Sequence, residues 1–117
     1  MVSAMLAPVL ALAMMQNPEA SSLHLYNTCR SAIRMMESAK PDPRDFPGGN
    51  YCIGYITGFM DGSGTIKRGA CMPDSVDGEK IIRTYVAYML KHPEENAWDK
   101  RETLLFALAD AYPCRSK

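Results

Sequence analysis

Four stretches of the chain repeat apolar residues every three or four positions, the spacing that lines one face of an α-helix. In the first, Leu25, Thr28, Cys29, Ala32, Ile33 and Met36 recur in this way. Asn17-Pro18-Glu19 announces it with a capping side chain, a first-turn proline and an acid near the positive helix end. Pro41 and Pro43 end it, and the run from Lys40 to Gly49, closing on Pro47-Gly48-Gly49, reads as a loop. The second stretch runs from Asn50 to Asp61, with Tyr51, Tyr55, Ile56 and Phe59 on its core side. The third takes Asp77 as its cap and carries Ile81, Ile82, Tyr85, Val86, Met89 and Leu90 until His92-Pro93-Glu94 stops it. The last takes Asn96 as its cap, repeats the pattern at Leu104, Leu105, Leu108, Ala111 and Tyr112, and ends at Pro113. No useful length of β-alternation appears. The pattern predicts an all-α fold, a small bundle of about four helices.

Glycine complicates the second helix. Gly54, Gly58 and Gly62 fall at i, i+4 and i+8 on one side, and a glycine inside a helix costs up to about 1 kcal/mol relative to alanine. Three on one face predict a packing seam where another backbone comes close. The segment after them, Gly62-Ser63-Gly64-Thr65-Ile66-Lys67-Arg68-Gly69, is too glycine-rich to continue the helix and reads as an exposed loop. It lacks a G-K-[ST] ending and follows no strand, so it does not read as a nucleotide site.

Residues Met1 to Gln16 contain no charged side chain and are mostly Ala, Leu, Met and Val. Such a run is shorter than the roughly 20 apolar residues of a membrane span. It resembles the apolar core of a secretory signal, with Ala11-Leu12-Ala13 as the cleavage motif, although no basic residue precedes it. Residues 1–20 are therefore read as a leader, and 21–117 as one domain of about 100 residues around one core. No membrane association is expected once the leader is removed. The chain has 13 basic and 13 acidic residues. This balance excludes a charge-driven nucleic-acid, membrane-surface or polyanion binder.

An exported domain of this size benefits from cross-links, which gives the four cysteines their meaning. Cys29, Cys52, Cys71 and Cys114 allow three pairings, and the sequence alone does not choose among them. Joining the ends of consecutive helical segments favours Cys29–Cys52 and Cys71–Cys114. Loops of about 24 and 44 residues would then contribute roughly 3.5 and 4 kcal/mol as upper figures. Zinc is disfavoured, because the cysteines include no close C-x2-C pair.

Other candidate chemistry is thin. His24 is expected on the solvated side of its helix, and His92 at a helix end where a cation suits the dipole. Glu94, Glu95 and Asp99 read as acids of a helix start rather than catalytic carboxylates. The nine methionines would suit soft copper, but Met35, Met36, Met60 and Met89 sit at core spacing and read as filler. No catalytic residue, metal or cofactor is expected.

The phrases around the cysteines carry the reading further. Cys52-Ile53-Gly54-Tyr55-Ile56-Thr57-Gly58-Phe59-Met60-Asp61 followed by Cys71-Met72-Pro73 resembles the signature of the Rap/Tai family of type VI secretion amidase immunity proteins. Val76, Tyr88-Met89-Leu90, His92-Pro93-Glu94 and the run from Ala107 to Pro113-Cys114 continue the resemblance, which spans Cys29 to Cys114. Departures are Asp77 and Lys80 for a usual Thr and Gln, Arg101 for a small residue, and Tyr112 for Phe.

The resemblance implies a periplasmic, all-helical protein that binds a peptidoglycan amidase effector and blocks its cleft, often as a homodimer. The loop residues Ser63, Gly64, Thr65, Ile66, Lys67 and Arg68 are the candidate contact, since they combine backbone freedom, two cations and an apolar Ile66. The alternative is a free-standing periplasmic helical domain with a structural or chaperone-like role and no cognate toxin.

Overall fold

Each helix starts where a side chain can satisfy its first free amides. The computed structural model describes residues 17–62 and 69–115, and these hold four α-helices. They are α1 (Ser22–Glu37), α2 (Phe46–Asp61), α3 (Gly78–Lys91) and α4 (Lys100–Ala111). Short 3-10 turns at Pro18–Ala20, Pro43–Asp45 and Pro93–Glu95 lead into α1, out of the first connection and out of α3. Among the described residues there is no strand, only isolated bridges pairing Ser21 with Asp99 and Ala70 with Pro113. Residues 1–16, most of the segment expected to be a leader, lie outside the described residues.

The caps correct two boundaries. Asn17 caps only the first 3-10 turn, and Ser21 caps α1 by accepting from the His24 amide at 3.2 Å. The last helix is capped by Asp99, which accepts from the Arg101 amide at 2.8 Å. Asn96 instead gives its carbonyl to the Leu23 amide at 2.9 Å, because Pro93 starts a separate turn ahead of α4. The expected cap Asp77 does open α3, accepting from the Lys80 amide at 2.9 Å.

The largest correction is in α2, which begins at Phe46, so that Pro47, Gly48 and Gly49 are helical rather than loop. Proline is tolerated there because first-turn amides have no partner inside the helix. The two glycines are needed for space. A Cβ at Gly49 would collide with the Met35 thioether and come within 3.2 Å of the Ala32 backbone. One at Gly48 would lie 3.3 Å from the Ser31 hydroxyl. Close contact between α1 and α2 is thus made at the start of α2.

That approach brings Cys29 and Cys52 together, with Cα atoms 5.0 Å apart and both residues 0% exposed. A second disulfide joins Cys71 to Cys114, again with a Cα separation of 5.0 Å. It lies at the surface, beside the Cys71 amide that donates to the Tyr112 carbonyl at 2.8 Å.

Around the inner disulfide, Leu25 and Ala32 of α1, Ile56 of α2, Ile81 and Tyr85 of α3, and Leu104 and Leu108 of α4 form the core. Of the methionines read as filler, Met89 is buried, and Met35, Met36 and Met60 are half-buried. The buried hydroxyls of Ser22, Tyr85 and Thr103 satisfy one another. The Ser22 and Thr103 hydroxyls are 2.7 Å apart, and the Tyr85 hydroxyl lies 2.9 Å from Thr103 and 3.2 Å from the Ser22 carbonyl. This network ties α1, α3 and α4 without leaving an orphan group.

Two outcomes are expected. Gly49→Ala lowers unfolding free energy by about 1–3 kcal/mol through overpacking, whereas Gly54→Ala raises it by about 0.5–1 kcal/mol through helix propensity; urea denaturation distinguishes them. Mild reduction of the folded chain opens Cys71–Cys114 before Cys29–Cys52, since exposed disulfides react first. Alkylation followed by mass spectrometry reads the order.

Candidate functional site

Helix α2 is held to the bundle by a narrow stripe, and its other side is open. Gly49, Cys52 and Ile56 are its buried residues. Ile53, Gly54, Thr57 and Gly58 are exposed. Because two of these have no side chain, the outward side is hollowed into an apolar recess of about 390 Å³. Gly54 and Gly58 line it with Tyr55 and Phe59, and Arg101 closes it from α4.

The expected glycine seam is therefore corrected. Among the described residues, a Cβ on Gly54 or Gly58 would meet nothing within 4 Å, and one on Gly62 would approach only the Gly58 carbonyl of its own helix. The i, i+4 spacing correctly placed these glycines on one face. It could not say whether that face meets a neighbour or solvent, and the tight contact made by Gly48 and Gly49 turns it outward.

One edge of the recess is stiffened by aromatic packing. Tyr51 and Tyr55 lie nearly parallel with ring centroids 6.3 Å apart, and His24 meets Tyr51 edge-on at 4.9 Å. His24 is thus half-buried rather than solvated. The Lys100 ammonium sits 5.0 Å from the Tyr51 ring centroid and 4.6 Å from that of Tyr55, a double cation–π contact. It also contacts the Tyr51 hydroxyl and donates to the Glu19 carbonyl at 2.8 Å.

Burial, reinforced by the nearby Asp99 carboxylate, pushes the Tyr55 hydroxyl up to about 12. Burial opposes ionisation of Asp99 too, but hydrogen bonds from the Arg101 amide and guanidinium outweigh it and hold that carboxyl below its usual value. Beyond this edge, Trp98 and Phe106 pack edge-to-face at 6.1 Å while staying 44% and 46% exposed.

Exposed aromatics, an arginine and an apolar hollow are the features that anchor protein partners. Tyr51, Tyr55 and Phe59, expected on the core side, do pack half-buried against the core, whereas sequence reading passed over Trp98, Lys100 and Phe106. Arg101 did carry a signal, since a small residue is usual there in the family that the chain resembles. The loop from Ser63 to Arg68 lies outside the described residues. Its two ends do not: Gly62 follows the recess directly along α2, and Gly69 adopts a φ of 97° ahead of the buried Ala70.

The arrangement offers recognition rather than bond-making chemistry. The hydroxyl network of Ser22, Tyr85 and Thr103 is sealed in the core at 0% exposure and reaches no substrate. The fold is a disulfide-stapled helical scaffold with an open apolar recess on α2. The chain matches the Rap1a immunity proteins over residues 21–114, and it belongs to that family. It is accordingly an immunity protein that binds a cognate effector, and not an enzyme. No curated protein and no solved structure matches it.

The raised Tyr55 hydroxyl gives a pH signature. An unfolded tyrosine loses its proton near pH 10.0, the folded Tyr55 near 12. Its contribution is constant below the lower value and is lost as pH rises through this window, because the unfolded chain deprotonates first. Tyr55→Phe should make the alkaline fall in stability shallower, as measured by urea titrations at pH values below and within the window.

Proposed function

We propose that this chain is a periplasmic protein that binds and inhibits a peptidoglycan amidase delivered by type VI secretion. The match to an immunity family across residues 21–114 carries this reading. The target is a cleft enzyme in the oxidising compartment. An inhibitor of such a target gains affinity by being rigid before it binds, since little ordering remains to oppose association.

Several features support this reading. Two disulfides suit an exported protein, and residues 1–20 serve as the leader that exports it. The apolar recess of Gly54, Tyr55, Gly58 and Phe59 offers a floor for an effector side chain, with Arg101 able to pair with an acidic group at its rim. The segment Ser63, Gly64, Thr65, Ile66, Lys67 and Arg68, which follows Gly62 in the chain, supplies two further cations and Ile66 to the proposed contact. Loop and recess together form the contact, and two copies of the chain assemble around it.

The test is inhibition of a purified type VI peptidoglycan amidase by the oxidised chain. Gly58→Lys fills the recess from an open position, so its melting temperature should match that of the parent while inhibition weakens at least about thirtyfold, the scale of a 2 kcal/mol hot spot. Deleting Ser63 to Lys67 should weaken it as well. Unchanged inhibition by both variants would remove the recess and loop from the contact. Failure to inhibit any such amidase would remove the amidase reading itself. Sedimentation equilibrium checks the dimer.

A further inference from the structure

The turn that leaves α3 gathers three side chains of metal-ligating type, His92, Glu94 and Glu95, in one four-residue corner. Pro93 starts a 3-10 turn directly after His92, the residue that caps α3, and the Glu95 amide donates back to the His92 carbonyl at 3.0 Å. This fold-back brings both glutamates to one edge of the imidazole. The Nδ1 atom of His92 lies 3.2 Å from Glu94 Oε1 and 3.4 Å from Glu95 Oε2. All three ligand atoms fall within 4.8 Å of one another.

The His92–Glu94 contact is within hydrogen-bond reach, although both separations exceed the about 2.7–2.9 Å that a charge-assisted hydrogen bond prefers. They match the edge of a tetrahedron with metal–ligand bonds of about 2.0 Å, whose corners stand about 3.3 Å apart.

A second observation concerns Glu95 alone. Its side chain is only 7% exposed, and among the described residues its one ion-pair partner is the His92 imidazole, which is charged only if protonated. A buried carboxylate is costly without a cation. Its other support comes from the Tyr88 hydroxyl, 2.9 and 3.0 Å from the two carboxylate oxygens. Tyr88 also stacks on the His92 ring with centroids 4.2 Å apart. A ligating carboxylate oriented by an outer hydrogen bond, and an imidazole held by stacking, are the supports that metal sites use.

We infer that His92, Glu94 and Glu95 form a binding site for a zinc-class divalent cation, with the fourth position open to water. The exposures fit that division, since the His92 and Glu94 side chains are 37% and 63% exposed while Glu95 forms the inner wall. One imidazole and two carboxylates suit zinc, nickel or copper. Calcium is disfavoured because it takes about 6–8 oxygen ligands. The bound ion would tie the end of α3 to the turn ahead of α4, in a region that neither disulfide reaches. Sequence reading took His92-Pro93-Glu94 as a helix stop and Glu94 and Glu95 as acids of a helix start, and so did not consider the three as ligands of one ion.

The experiment is calorimetric titration of the oxidised, untagged, metal-stripped chain with zinc chloride, followed by calcium chloride. One equivalent of zinc should bind saturably and raise the melting temperature, and calcium should not compete. Glu94→Gln, an exposed change, should weaken zinc by at least about tenfold while leaving the metal-free melt unchanged. Glu95→Gln keeps an acceptor for Tyr88 and should weaken zinc similarly. His24→Gln should have no effect. Absence of saturable zinc binding would overturn the site, as would parent-like affinity in both glutamate variants or loss of binding in His24→Gln. The outcome is independent of any effector, so it stands or falls apart from the amidase reading.

Discussion

The close approach of α1 and α2 governs the architecture. At Gly48 and Gly49 the second helix lies against Ser31, Ala32 and Met35 with no room for a side chain. That distance sets the separation at which Cys29 and Cys52 bond, three residues further along α2. The two effects reinforce each other. The disulfide removes disorder from the unfolded chain, and the glycines let the folded chain accept it without a void. Once this pair is fixed, α3 and α4 have a defined trough in which to place Ile81, Tyr85, Leu104 and Leu108.

The same constraint turns the apolar recess outward. A helix gripped through Gly49, Cys52 and Ile56 must present its opposite side to solvent, and here that side carries Gly54 and Gly58. Glycine in an exposed helix position costs stability with no local return. The cost is offset elsewhere, by the core disulfide and by the buried network of Ser22, Tyr85 and Thr103. A hollow that weakens the helix but opens a recess beside Tyr55, Phe59 and Arg101 is what a partner-binding surface would require. Tight packing and the open recess therefore lie on the two sides of one helix.

Much of the fold was legible because its signals were local. Apolar spacing found four helices, and Asp77 was recognised as a cap because its side chain needs only the next turn to act. Where a cap depended on neighbours the reading slipped. Asn17 and Asn96 both have capping chemistry, yet Ser21 and Asp99 took the role, and those two residues also pair as an isolated bridge between the starts of α1 and α4. Pro47-Gly48-Gly49 read as a loop for a related reason. Their propensity opposes a helix, and only contact with α1 outweighs it.

The sequence by itself determined the class of fold, the family and the importance of the cysteines, because periodicity and short cysteine-centred phrases survive without a partner in space. It also placed Gly54 and Gly58 on a common face. The direction of that face was a tertiary decision, made by which glycines another helix had already claimed. The gathering of His24, Tyr51, Tyr55 and Lys100 from three helices was likewise beyond it, as was the inward turn of Glu95 toward Tyr88. Contacts of that kind depend on how helices pack against one another, and helical periodicity records only how each helix faces its own axis.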